Sequence, residues 1–397
     1  MSSLALSMKG IAGPAGGRVR AVDGLRGWAA VMVLMFHLTW EAYGVLIPAL
    51  RNPLTAGFMG SSQSIAIFFV LSGVALSTSF FRTGSVVGTI EAAWTRYPRL
   101  VLPLLGAMLV TWALFALWPP MHREAAAVLG RGDWMSAWLP EPLRLGAVVR
   151  FALWDVFDLW TFASGTSPNP MLWTIKYEAV GSLLVFACVG LSWANRRVGE
   201  IAIGGLFVAF VVARIRGDEL SGHLACFLFG MFLARLTESG GLEAFRKWCP
   251  EAVSTAAPIV LVVGDGTLGA LGYPRLPFVT AMLVVFFLLA SRTHSNLLGG
   301  PVSQFLARVS YPLFLLQFPI IVTVTCGAVL LADRWGWPAP IACAVIAVGS
   351  FALTLGLAVL FQPVDDLTRR FCRWWIGWGR RRLGLPERAS TAPSRPS

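Results

Sequence analysis

Two apolar stretches of this chain contain residues that could do chemistry. The first holds Asp23, Arg26, His37 and Glu41, and the second holds Lys176 and Glu178. A charged or ionisable side chain inside a hydrophobic run is costly, so each one calls for a partner or a purpose. Arg26 and His37 are separated by three helical turns plus about 20°, which puts both on one helix face about 16 Å apart along the axis. That spacing suits an elongated ligand with an anionic head and a reactive group at its far end, the shape of a CoA thioester. Arg26 would hold phosphate at the cytoplasmic mouth, and the thioester would be presented to His37. Glu178 lies about 10 Å into its own run, at a depth where its carboxylate could orient the imidazole if the two helices are neighbours. Each feature also has a plainer reading. Arg26 can be an interfacial anchor, His37 a core histidine bonded to a backbone carbonyl, and Glu178 a group facing a wet cavity. Pairing of Glu178 with Lys176 is the weaker alternative, because residues two apart diverge on a helix. Arg96 and Arg99, one turn apart, read equally as anchors or as a phosphate clamp.

The elements that must position these residues are membrane helices. Of the 397 residues, 56% are hydrophobic and only 13% charged, too apolar for a water-facing surface around one core. Apolar runs near the length of a bilayer crossing recur along the chain. They predict an all-α, polytopic membrane protein with ten spans: 27–47, 62–81, 100–118, 171–191, 200–213, 223–236, 252–264, 276–291, 311–331 and 339–361. The fifth and seventh are short for a full crossing. The interval between Trp118 and Met171 reads as a loop with an interfacial helix. An even number of spans puts both termini on one side. On this scheme the inner segments carry more than twice as many Lys and Arg as the outer ones, which places the termini in the cytoplasm and the protein in the inner membrane. No cleaved signal peptide is expected.

The net charge of +12 follows from this asymmetry and from an arginine-rich tail with Trp374, Trp375 and Trp378, expected to lie on anionic headgroups. Nucleic acid need not be invoked. The predicted organisation is a flexible N-terminal segment (1–22), one integral membrane domain (23–365) and a basic cytoplasmic tail (366–397) disordered at its end. Six scattered cysteines and four dispersed histidines lack metal-ligand spacing, so neither a disulfide framework nor a metal site is expected.

Five stretches in order resemble the membrane-bound acyltransferase 3 family. Asp23 to Gly27 running on to Phe36 and His37 is similar to its opening signature, an arginine, ten residues and a histidine. Phe68 to Gly73 resembles its second-span motif, Arg96 to Arg99 its paired arginines, Leu172 to Glu178 its tryptophan-to-glutamate motif, and Ser310 to Gln317 its late Ser-Tyr segment. The resemblance implies transfer of acetyl or another short acyl group from cytoplasmic acyl-CoA, a co-substrate rather than a resident cofactor, to a hydroxyl of a carbohydrate, a lipid-linked sugar or a small molecule. It maps catalytic roles onto His37 and Glu178, acyl-CoA binding onto Arg26, Arg96 and Arg99, and supporting roles onto Asp23, Ser72, Trp173, Tyr311 and Gln317. Whether the histidine is a general base or a transient acyl carrier stays open.

Two positions depart from the family pattern. Gln317 stands where members commonly have histidine, and Ala179 where many have a second acid. No appended esterase-like domain is expected. The competing classes are a permease or flippase using His37 and Glu178 as a proton relay, and a non-catalytic scaffold.

Overall fold

A computed structural model describes residues 14–52, 55, 60–135, 139, 143–159, 167–273 and 275–382. The described residues form helices and no strands, as expected where every backbone polar group must be satisfied within its own segment. Among the described residues, nine helices are long and apolar enough to cross a bilayer, and a tenth crossing results if one sharply bent pair is counted as a single broken span. These elements fall where the ten spans were predicted.

Helix α1 (Pro14–Met35) passes directly into a π-helical turn, Phe36–Glu41. It therefore starts well before the predicted span. Residues 14–22, expected to be flexible, are helical, because extending a helix already nucleated by an apolar span adds one hydrogen bond per residue. Residues 1–13 lie outside the described set. Next come α2 (Ser61–Thr83) and α3 (Val87–Leu117). The interval after Trp118 contains two short helices long enough to name, α4 (His122–Leu129) and α5 (Leu145–Leu153). They are followed by α6 (Thr174–Ala194), α7 (Arg196–Ile215), α8 (Glu219–Glu238), α9 (Gly241–Trp248) and α10 (Glu251–Ala270).

The bent pair is α11 (Pro277–Ala290) and α12 (Arg292–Leu298), which meet at 92°. Ser291 makes the bend by capping α12, its side chain accepting from the His294 amide. The last elements are α13 (Pro301–Ile320), a second π-helical turn (Ile321–Thr325), α14 (Cys326–Arg334), α15 (Ala339–Leu360) and α16 (Gln362–Arg382). Thus much of the basic tail is helix, interrupted from α15 only at Phe361, and residues 383–397 lie outside the described set.

Small residues set which helices touch. A Cβ placed on Gly73 of α2 would sit 2.1 Å from the Phe227 carbonyl oxygen of α8, and one on Gly230 of α8 would sit 2.1 Å from that of Val70. Neither helix could come this close with a side chain in the way. In the same manner Gly24 and Gly27 of α1 face Leu298 at the end of α12 and the α13 backbone at Leu306 and Ala307. Trp28 closes the seam by donating to Ser303 Oγ at 3.0 Å. At the periphery, α7 buries only 6% of its apolar window, whereas the run from Pro301 to Arg334 buries 72%. The first faces lipid and the second is the core of the bundle.

Starts of α1, α3 and α13, ends of α2 and α8, and α16 gather at one end of the bundle. Contacts there include Arg82 with Glu238 at 3.3 Å and Gln304 Nε2 with the Arg20 carbonyl at 2.7 Å. We call this the basic end. At the opposite end, Arg131 donates to the Glu41 carbonyl at 2.9 Å and to its carboxylate at 3.4 Å. There the Met121 amide donates to the Val322 carbonyl of the second π turn at 2.8 Å, so the segment after α3 is seated on the helix ends.

Candidate functional site

A cavity of about 580 Å³ opens between α1, α2, α3, α6, α13 and α16. Its floor on α2 is a single helical stripe of Ile65, Phe68, Phe69, Ser72, Ala75, Leu76 and Ser79, which extends about 21 Å along the axis. The end near Ile65 and Phe68 is apolar. The basic end is charged, where α1 contributes Asp23 and Arg26, α3 contributes Arg96 and Arg99, α13 contributes Arg308, and α16 contributes Asp365 and Arg369. The close seam made by Gly24 and Gly27 explains the juxtaposition: it brings the polar flank of α1 beside Gln304, Arg308 and Tyr311 of α13.

Five arginines against three carboxylates, with Glu178 as the third, leave two positive charges in excess. The guanidinium groups do different things. Arg96 is held: it contacts the Glu178 carboxylate and donates through Nε to Ser182 Oγ at 2.8 Å. Ser182 in turn donates to the Glu178 carbonyl at 2.5 Å. Arg369 is paired with Asp365. Among the described residues, the side chains of Arg26, Arg99 and Arg308 form no ion pair or hydrogen bond within the protein. Asp23 and Glu178 act on Arg26 and Asp365 on Arg99 only through the field, so three arginines without a contacting partner, with two positive charges in excess, form an anion site suited to phosphate.

Seven of the ten residues singled out in the sequence meet here: Asp23, Arg26, Ser72, Arg96, Arg99, Glu178 and Tyr311. The Tyr311 hydroxyl donates to the Leu100 carbonyl at 3.1 Å, tying α13 to α3. His37, Trp173 and Gln317 are not in the lining. Trp173 packs edge-on against Tyr177 and His223. Gln317 is 1% exposed, donates through Nε2 to the Phe314 carbonyl at 3.1 Å, and its Oε1 accepts nothing. His37 sits in the first π turn, half-buried and edge-on to the Phe36 ring at 5.1 Å.

The expected contact of Glu178 with His37 is replaced by the Arg96 pair. A carboxylate takes the nearest guanidinium, and α6 turns Glu178 toward α3. His37 is absent from the cavity lining, whereas Phe68 lines the apolar end, packs near the Phe314 ring at 6.4 Å, and rests on the cluster that includes Leu34 and Leu38 of the first span.

Four charged or amide-bearing lining residues escaped the sequence reading as site residues: Gln304, Arg308, Asp365 and Arg369. Gln304, Arg308 and Tyr311 lie at helical spacing on one face, a signal that was present but indistinguishable from a positive-inside anchor. His223 was read as merely dispersed. It is 3% exposed and enclosed by the rings of Phe69, Trp173, Tyr177 and Phe278, at 4.6 to 5.8 Å. Phe69 belongs to both this box and the cavity floor. Among the described residues no cluster has the makings of a metal site.

Comparison with known proteins places this geometry. Residues 19–361 match a family described as an acyltransferase domain. No curated protein and no solved structure matches the chain. The matched stretch starts in α1, ends with α15, and contains every residue of the cavity except those on α16. A chain matched over that length, with the five motifs on its cavity and the helices packed around it, belongs to the acyltransferase 3 family.

Proposed function

We propose that this membrane acyltransferase takes a short acyl group, acetyl foremost, from acyl-CoA and places it on a hydroxyl of a carbohydrate, a lipid-linked sugar or a small-molecule acceptor. The observation that carries the reading is the polarity of the cavity, whose α2 floor runs about 21 Å from a mouth with three arginines that contact no carboxylate to an apolar end at Ile65 and Phe68. A phosphate-rich head and a long, mostly uncharged arm ending in a thioester have that shape. The basic end would face the cytoplasm, where acyl-CoA is made, with both termini there and the protein in the inner membrane.

On this reading Arg26 and Arg99 bind donor phosphates. Arg96, held by Glu178 and Ser182, keeps the cavity wall in place beside them, so Glu178 acts through Arg96. The acyl arm lies along the α2 stripe toward Phe68 and Phe314, and the thioester must reach beyond the cavity lining to meet His37. The acceptor hydroxyl then attacks the thioester carbonyl as His37 takes its proton; the carbon–sulfur bond breaks, and the thiolate of CoA leaves and recovers a proton. The transporter alternative asks His37 and Glu178 to exchange a proton, and the engagement of Glu178 with Arg96 counts against it.

The test uses purified full-length protein in lipid nanodiscs. Acetyl-CoA binding and acceptor-dependent thiol release should both be measurable. Arg26→Ala and Arg99→Ala should each raise KM for acetyl-CoA about tenfold or more, the scale of one charge-assisted contact to phosphate. Absence of CoA binding by the unaltered protein would overturn the reading. Mass spectrometry of glycans and metabolites from deletion and parent cells, searched for one acyl mass difference, identifies the acceptor.

A further inference from the structure

Helix α16 begins at Gln362, one residue after the stretch that matches the family ends. It nevertheless supplies two charged groups to the cavity, Asp365 and Arg369. They stand one turn apart, and Arg369 Nε donates to Asp365 Oδ2 at 3.0 Å. Their burial is unequal: the Arg369 side chain is 51% exposed and that of Asp365 is 16%. Arg99 from α3 and Arg308 from α13 line the same mouth.

The helix is fixed in place by contacts C-terminal to these residues. Arg380 pairs with Glu91 of α3 at 2.5 Å, in surroundings that leave both side chains largely covered. Trp375 stacks on Trp94 of α3 at 6.2 Å, and Phe371 and Trp378 continue the ring column at 5.8 and 5.6 Å. The ionic anchor lies about 16 Å along the helix from Arg369, and the Trp375 stack about 9 Å. A segment strapped this way holds its first turns rigidly against the cavity.

We propose that α16 is a built part of the donor site, in which Arg369 leaves Asp365 to bind a phosphate oxygen of the nucleotide head and Asp365 is its resting counter-ion. The inference rests on the acyl-CoA reading above. An exposed ion pair between residues one turn apart is weak, whereas a guanidinium on a phosphate is charge-assisted and takes a bidentate geometry. The excess of positive charge at the mouth favours the exchange. An element outside the matched domain thereby sets how tightly the donor is held.

Equilibrium binding of CoA, and separately of pantetheine, which lacks the phosphates of the nucleotide head, tests this on full-length protein in nanodiscs. Arg369→Ala should weaken CoA binding about tenfold and leave pantetheine unaffected. Arg373→Ala removes the same charge from the same helix, one turn further on and outside the lining, and should leave both unchanged. Asp365→Asn removes the competing counter-ion and should tighten CoA binding; weaker binding would count against the exchange. If the unaltered protein binds CoA and Arg369→Ala binds it equally well, the proposal fails while the acyl-CoA reading stands. Equal weakening of CoA and pantetheine by Arg369→Ala also overturns it, since that reports a displaced helix. Failure of the unaltered protein to bind CoA sinks both.

Discussion

At the scale of single residues, the cavity separates two roles that one helix face had joined. Arg26 is in the lining, and His37, about 16 Å further along the same span, is outside it. Removing the imidazole should therefore leave the donor mouth intact. His37→Ala is expected to lower kcat about 10²–10⁴-fold, the usual worth of a general base, while CoA affinity measured by equilibrium binding stays unchanged. A parallel loss of affinity would place His37 in the donor site and refute the separation of the two roles. The residue types of Arg26, Arg96, Arg99 and Glu178 were legible in the sequence because charge in hydrocarbon is rare. Their pairing was not: whether Glu178 meets His37 or Arg96 depends on how α6 turns against α3, which spacing along one helix does not encode.

Among the elements, close approach does the positioning. The Asp23 to Gly27 run combines charged residues that face the cavity with glycines that face α12 and α13, and the two functions depend on each other. A methyl at Gly27 would meet backbone atoms of Leu306 and Ala307 at 2.6 Å, and backbone cannot step aside as a flexible side chain can. Gly27→Ala should cost about 1–3 kcal/mol, as overpacking does, read as a lower thermal unfolding midpoint in detergent and a weaker affinity for CoA. Gly190→Ala, on α6 with open space around the new methyl, should leave both unchanged.

The two π turns belong to this scale as well. Each carries a threonine bonded back to the preceding turn, Thr39 to the Met35 carbonyl at 2.7 Å and Thr323 to that of Pro319 at 2.6 Å. Periodicity at 3.6 residues hides such turns, since one widened turn inside a long apolar run leaves no compositional mark.

For the whole molecule, the asymmetry of charge predicts orientation. The six cysteines are all buried and free, so introduced cysteines can be read against a quiet background. Arg216→Cys, at the end opposite the basic one, should react with a membrane-impermeant thiol reagent on intact cells, and Ser239→Cys should react only after permeabilisation. The reverse pattern would put the basic end outside and remove the donor mouth from the cytoplasm.

What the sequence determined by itself was the solvent and the architecture. Apolar runs of crossing length permit only helices with internally satisfied backbones, and the surviving charges and five motifs marked which helices matter. Only the tertiary structure decided how those charges combine. It paired Glu178 with Arg96, left Arg26, Arg99 and Arg308 open, and brought Asp365 and Arg369 from beyond the matched domain to the same mouth. The reason is physical: burial of apolar surface is non-directional and readable from composition, whereas ion pairing acts over a few ångströms between side chains that only packing brings together.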